Sequence, residues 1–185
     1  MEFRAALFDL DGTLLDSNGV WREVDARFFA ARGVAVDHAE YARAVQGMSF
    51  REAAEYTVRR YGFNESVEAV MGEWMEMTRE EYARHVNLKP GARDYLRALK
   101  CRGVKLAVVT ANRAELFMAT LERWGVAELF DAFCTSAEVG DASKADGALY
   151  RLAARRLGVE PKDCAVFEDV LDGIAGAKRC GMRAV

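Results

Sequence analysis

From residue 89 to its end the chain alternates short apolar runs with amphipathic helical stretches, and this alternation restricts the fold more than any other feature. Helical patterns run over 92–102, 114–124, 146–157 and 172–180, and each is stopped by a glycine: Gly103, Gly125, Gly158 and Gly181. Between them lie apolar runs at 104–109, 132–135 and 164–167, and a last one begins at 182–185. The run 104–109 is interrupted only by Lys105, the composition of a strand buried on both faces. Strands alternating with helices imply a parallel sheet covered by helices on both sides. Residues 4–9 read as one more strand of this kind, but 18–86 separate them from the others, and no strand-like run occurs there. Instead Trp21, Val24, Phe28 and Phe29 recur at helix spacing, with Arg22, Glu23, Asp25 and Arg27 between them. Further helices are expected over 37–45, 50–61 and 66–85. The predicted architecture is an α/β core from 1–17 and 87–185, with an α-helical bundle inserted at 18–86.

Composition narrows the class. Among 185 residues 51% are hydrophobic and 30% charged, as in a soluble globular protein. A net charge of −3 offers no basic footprint for nucleic acid, and no apolar run approaches membrane-spanning length. Met1-Glu2-Phe3-Arg4 leads straight into the first strand without a secretory pattern. Cys101, Cys134, Cys164 and Cys180 are widely spaced, which predicts reduced thiols in a cytoplasmic protein and no zinc site.

The chemistry gathers at strand ends, where ligands bind in open parallel sheets. The first strand ends in Asp9-Leu10-Asp11-Gly12. Residues two apart in an extended segment point to one side, so the two carboxylates can converge, and a cation is expected between anions held that close. Asp and Gly are also ordinary turn residues, so the pair alone reads equally as a strand-ending turn. The strand at 104–109 runs into Thr110-Ala111-Asn112, where a hydroxyl and a free N–H at a helix start suit a phosphate oxygen, or where Thr110 caps the helix. Lys144 follows the polar connection Gly140-Asp141-Ala142-Ser143 and is either a surface lysine or a cation for a transferring phosphoryl group. Glu168 and Asp169 follow a short apolar strand and read as Mg²⁺ ligands or as acids at a helix N-terminus.

Together these elements resemble the four ordered motifs of the haloacid dehalogenase-like superfamily. Asp9-Leu10-Asp11-Gly12-Thr13-Leu14-Leu15-Asp16-Ser17 is similar to its first motif. The stretch from Phe167-Glu168-Asp169 through Gly173, Gly176 and Gly181 resembles the fourth in its phosphatase and β-phosphoglucomutase branch. The resemblance implies a Rossmann-like core and an α-helical cap that closes over the site. It implies Asp9 as the nucleophile that becomes an aspartyl phosphate and Asp11 as the acid and base. Thr110 and the Ala111 N–H would hold phosphoryl oxygens, and Lys144 would orient Asp9. Mg²⁺ would be held by Asp9, the Asp11 carbonyl and Asp169, with Glu168 in or beside that shell. Relatives commonly carry a further helix after the strand begun at 182–185, so the sequence reads as a shortened chain or one with an early stop.

Departures from the branch carry their own expectations. Ala145-Asp146-Gly147-Ala148 replaces a proline-containing stretch, which predicts a looser lysine loop and an Asp146 that competes for the Lys144 charge. Val170 stands where a serine is common, and Asp172 reads as a helix cap. In Gly47-Met48-Ser49-Phe50-Arg51-Glu52, Phe50 occupies the place of a mutase arginine, and Trp21 that of a mutase histidine. Both favour a phosphatase of a small phosphorylated metabolite over a sugar phosphomutase. A third reading, a binding or regulatory member with little turnover, follows from Val170 and the lysine loop. Trp21, Met48 and Phe50 read either as a specificity pocket or as packing inside the helical bundle.

Overall fold

The computed structural model describes residues 3–46, 48, 50–140 and 144–185. Gly47 and Ser49 of the segment singled out above, and Asp141 to Ser143 of the lysine connection, lie outside the described residues. The chain divides into two compact units, Met1–Asn18 with Val86–Val185, and Gly19–His85.

Strand β1 (Ala5–Phe8) is buried along its whole length, as its unbroken apolar sequence requires. A two-residue strand β2 (Leu15–Asp16) pairs antiparallel with β3 (Asn87–Leu88), and these two strands bracket the helical unit in the sequence. Neither was legible, because two residues carry no periodicity. Within the helical unit, α1 (Val20–Ala31) buries Val24, Phe28 and Phe29 as the spacing predicts, but Val20 takes the place expected of Trp21, which is half exposed. Helix α2 (His38–Val45) is capped by Asp37, whose carboxylate accepts from the Ala39 and Glu40 N–H groups at 2.9 and 3.0 Å. Helices α3 (Phe50–Tyr61) and α4 (Val67–Arg84) follow, α4 capped by the Ser66 hydroxyl. Phe28 meets Trp74 edge-on at 5.5 Å, and the Arg32 guanidinium lies 3.7 Å above the Phe28 ring while pairing with Glu73 and Glu65. This clamp ties the C-terminal end of α1 to α4 and to the residue just before its cap.

The rest of the chain builds the sheet. Helix α5 (Ala92–Cys101), β4 (Lys105–Thr110), α6 (Ala114–Arg123), β5 (Ala132–Thr135), α7 (Ala148–Leu157), β6 (Cys164–Phe167), α8 (Leu171–Arg179) and β7 (Arg183–Ala184) follow in order. The five-stranded sheet has the order β5-β4-β1-β6-β7 and every pairing is parallel. β1 is central, with Phe8 in register with Val108 and Phe167, so β1 and β6 end at the same level and β4 runs two residues further to Thr110. Ala5, Leu7, Val109 and Cys134 face α7, packing on Tyr150, Ala153 and Leu157. Phe8 points to the other face, stacked on Phe167 at 4.6 Å and edge-on to Tyr95 of α5. Leu7 is fully buried, and truncation to Ala there costs about 2–5 kcal/mol.

Two expectations on helix ends are corrected. Helix α7 begins at Ala148, not 146, because Gly147 sits at φ 78°, outside helical space, and residues Lys144–Asp146 form a separate single turn. Asp172 does not cap α8: the capping position is the extended Val170, and Asp172 lies inside the first turn, where the helix dipole favours an acid. The chain turns at Val170 because its N–H donates to the Glu168 carboxylate at 3.2 Å.

Candidate active site

Asp9 directly follows β1, and its N–H continues the ladder by donating to the Phe167 carbonyl at 3.0 Å. Its side chain is therefore carried at the end of the central strand, and it is buried. The chain then closes a tight loop in which the Thr13, Leu14 and Leu15 N–H groups all donate to the Leu10 carbonyl. Gly12 makes this loop feasible twice over. It takes φ 83°, and a Cβ there would lie 2.2 Å from Asp169 Oδ2. The Asp169 carboxylate thus occupies the space that a side chain at 12 would fill, and Thr13 Oγ1 donates to its other oxygen at 3.3 Å.

Asp11 is oriented from two sides. Ser17 Oγ donates to Oδ1 at 2.6 Å and Asn112 Nδ2 donates to Oδ2 at 3.1 Å. Asn112 also ties the site to β4, since its N–H donates to the buried Thr110 hydroxyl at 3.0 Å. This contact uses the Asn112 amide and leaves the expected Ala111 N–H donor untouched, and α6 starts only at Ala114. Thr110 is no cap of it, because the capping position is Arg113. Ala111 is exposed, with its carbonyl held by Ser136 Oγ at 3.0 Å.

Lys144 is not a solvated surface group. Its ammonium donates to Asp9 Oδ1 and, at 2.9 Å, to Glu168 Oε2, with 12% of the side chain exposed. Asp146 does not compete for it. The Asp146 carboxylate instead accepts from the Ala148 N–H at 2.6 Å, at the first residue of α7. A Cβ on Gly176 would lie 1.9 Å from the Lys144 carbonyl oxygen, so the lysine turn rests directly on α8. Glu168 is buried, accepts from Tyr150 Oη at 2.8 Å, and leaves no room for a side chain at Gly173, whose Cβ would lie 2.4 Å from Glu168 Cδ. Burial pushes the Asp9 carboxyl up to about 6, opposed by the adjacent Lys144 charge and reinforced by Glu168 and Asp11. Burial and the neighbouring Glu168 carboxylate also drive the Tyr150 hydroxyl far above its ordinary value, which keeps it a donor.

Asp9, Glu168 and Asp169 each place one carboxylate oxygen within 4.8 Å of the others. Three hard oxygen donors at this spacing, one seated where Gly12 lacks a Cβ, suit a small divalent cation. The structure therefore brings Asp9, Asp11, Lys144, Glu168 and Asp169 together, with Thr110 linked to them through Asn112. Ser17, Asn112 and Tyr150 were missed as functional positions. Tyr150 sits in the apolar stripe of α7, and its only signal was a polar tip that must find a partner when buried.

Comparison with known proteins points the same way. The family model for haloacid dehalogenase-like hydrolases matches residues 3–181. Validoxylamine A 7'-phosphate phosphatase of Streptomyces hygroscopicus subsp. limoneus is 33% identical over 183 residues, covering 99% of this chain and 84% of its own. Hexitol phosphatase B of Escherichia coli K12 is 27% identical over 186 residues, covering 98% and 82%. A Thermotoga maritima crystal structure solved under a β-phosphoglucomutase designation superposes with a TM-score of 0.88 at 26% identity, covering 98% of this chain and 83% of that one.

Proposed function

The chain belongs to the haloacid dehalogenase-like hydrolases, and we propose that it is a Mg²⁺-dependent phosphatase that hydrolyses a small phosphorylated metabolite through a phosphorylated Asp9. The observation that supports this most directly is the Lys144 ammonium, which contacts both Asp9 and Glu168 at the end of the central strand. In the first step an Asp9 oxygen attacks phosphorus, a new O–P bond forms and the ester O–P bond breaks. Asp11 supplies a proton to the leaving oxygen. In the second step Asp11 takes a proton from water, the water oxygen attacks the phosphorus, and inorganic phosphate leaves with Asp9 restored. Ser17 and Asn112 keep the Asp11 carboxylate aimed through both steps, so one residue can serve as acid and then base. Lys144 positions Asp9 and offsets charge on the transferring group, with Thr110 and the Ala111 N–H as further donors. The carboxylates of Asp9 and Asp169 and the Asp11 carbonyl would hold Mg²⁺. Glu168, whose oxygens already accept from Lys144, Tyr150 and the Val170 N–H, stands beside them. The bound cation supplies charge neutralisation at the phosphoryl oxygens.

Hydrolysis is favoured over mutase chemistry by the helical unit, which we read as the substrate-selecting cap. Arg51, one place beyond the mutase arginine position, is spent on an exposed ion pair with Glu68 at 2.9 Å. Phe50 and Trp21 put rings, 5.7 Å apart, at the sequence positions that match the mutase arginine and histidine. The relatives named above act, by their names, on validoxylamine A 7'-phosphate and on hexitol phosphates, so the substrate class proposed is a phosphomonoester of a small polyol or carbohydrate. A screen over hexitol phosphates, sugar phosphates, phosphoglycolate and nucleotides, with Mg²⁺ and with EDTA, tests this. Phosphate release that needs Mg²⁺ is expected. Conversion of a hexose phosphate into its isomer without release would establish the mutase instead, and no turnover across the panel would remove the enzymatic reading.

A further inference from the structure

A cavity of about 320 Å³ lies wholly within Gly19–His85. Three of its walls are aromatic: Trp21 and Phe50 have centroids 5.7 Å apart, and Phe50 and Trp74 another 5.7 Å apart, in a continuous run of tilted rings. Trp21 is half exposed, so the run opens to solvent. Of the alternatives left by the sequence, Trp21, Met48 and Phe50 line this cavity in addition to packing the bundle.

Asp25 also lines it, one helical turn after Trp21 and on the same face of α1. Its carboxyl has no hydrogen-bond or ion-pair partner among the described residues, and no lysine or arginine lines the cavity. Tyr41, on the cavity wall, cannot supply a donor. Thr57 gives its hydroxyl proton to the Ala53 carbonyl at 2.7 Å, so the Tyr41 proton must go to Thr57 Oγ1, also at 2.7 Å. Trp74 adds a second unmet need, because its buried indole N–H has no acceptor among the described residues. A half-buried acid among ring faces, each with a negative π surface, is a region of uncompensated negative potential. A phosphate or carboxylate is repelled there, and a neutral apolar group leaves the acid unpaired. An organic cation satisfies both the rings and Asp25, and an oxygen on the same molecule suits the Trp74 N–H.

We propose that this cavity is a binding site for a small organic ammonium group, held by Asp25 and the faces of Trp21, Phe50 and Trp74. The inference rests on the reading of this unit as the substrate-selecting cap, and binding alone tests it, so its failure is distinguishable from a failure of phosphatase activity. The full chain is titrated with choline, with its uncharged isostere 3,3-dimethylbutan-1-ol and with sorbitol, following tryptophan fluorescence and heat of binding. Choline is expected to bind saturably and at least tenfold more tightly than the isostere. Asp25→Asn, which preserves shape, is expected to lower choline affinity at least tenfold and leave the isostere unchanged, and Trp21→Ala to weaken choline as well. Equal binding of choline and isostere would overturn the proposal in favour of a merely apolar pocket. Tighter binding of sorbitol, insensitive to Asp25→Asn, would overturn it in favour of a polyol site, and binding of none of the three probes would overturn it outright.

Discussion

Gly176→Ala is the sharpest test of how the fold delivers Lys144 to Asp9. A Cβ at 176 would stand 1.9 Å from the Lys144 carbonyl oxygen and 2.9 Å from its carbonyl carbon. Both are backbone atoms, so no side-chain rotation relieves the clash. Restoring ordinary contact requires the lysine turn and α8 to part by about 1.5 Å, the difference between 1.9 Å and the 3.4 Å of normal packing. The turn is also clasped at its far end, because a Cβ on Gly147 would meet the Gly176 carbonyl oxygen at 2.9 Å and Cys180 Sγ at 2.3 Å. Overpacking of this kind costs about 1–3 kcal/mol. A displacement of about 1 Å at a positioning group costs on the order of 100-fold in rate. Urea unfolding is therefore expected to show a loss of about 1–3 kcal/mol, and kcat with a generic phosphomonoester a fall of about 10- to 100-fold. A variant with wild-type stability and wild-type kcat would refute the claim that this glycine contact sets the lysine.

Three further outcomes follow from the same geometry. Tyr150→Phe removes a donor from the buried Glu168 carboxylate and is expected to cost about 1.5–3 kcal/mol in urea unfolding; an unchanged midpoint would contradict it. Burial raises the Asp25 carboxyl to about 6 in the folded chain from 3.8, so its favourable contribution is complete below pH about 4 and is lost as pH rises through 6. The unscreened shift is worth about 3 kcal/mol, which partial exposure reduces to about 1–2 kcal/mol. Asp25→Asn should therefore stabilise the protein by about 1–2 kcal/mol at pH 7.5 and by little at pH 4, and destabilisation at pH 7.5 would refute the assignment. Mg²⁺ at about 100-fold its Kd should raise stability by about 2.7 kcal/mol, reversed by EDTA and absent in Asp169→Asn; a Tm indifferent to Mg²⁺ would remove the metal site.

The legible part of this molecule was whatever repeats or runs. The apolar β1, the stripe of α1 and the glycine stops announced their elements because burial imposes periodicity over many residues. The two-residue β2 and β3 are too short to do so, and the strand order is a long-range pairing that no local pattern encodes. In the site, Asp9, Asp11 and Asp169 were readable because acids at strand ends are conspicuous. Asn112 and Ser17 were not, since their role is to meet Asp11 across 101 and 6 positions of sequence, respectively. The contact that seats the lysine turn was not readable for a physical reason. The sequence shows only the missing proline, whereas the close approach of the Lys144 carbonyl to Gly176, 32 positions later, depends on an absent side chain and leaves no local signal. Asp25 was read as one polar residue on a helix face, and only the folded bundle reveals that its side of the helix lines a cavity.

The central claim is that Asp9 carries the phosphoryl group, and mass mapping after incubation with a small phosphoryl donor and Mg²⁺ tests it most directly. One phosphoryl group is expected on the peptide containing Asp9, to be lost on further incubation in water and absent in Asp9→Asn. A phosphorylated protein with the group on another residue, or an Asp9→Asn variant labelled as fully as the wild type, would contradict the account.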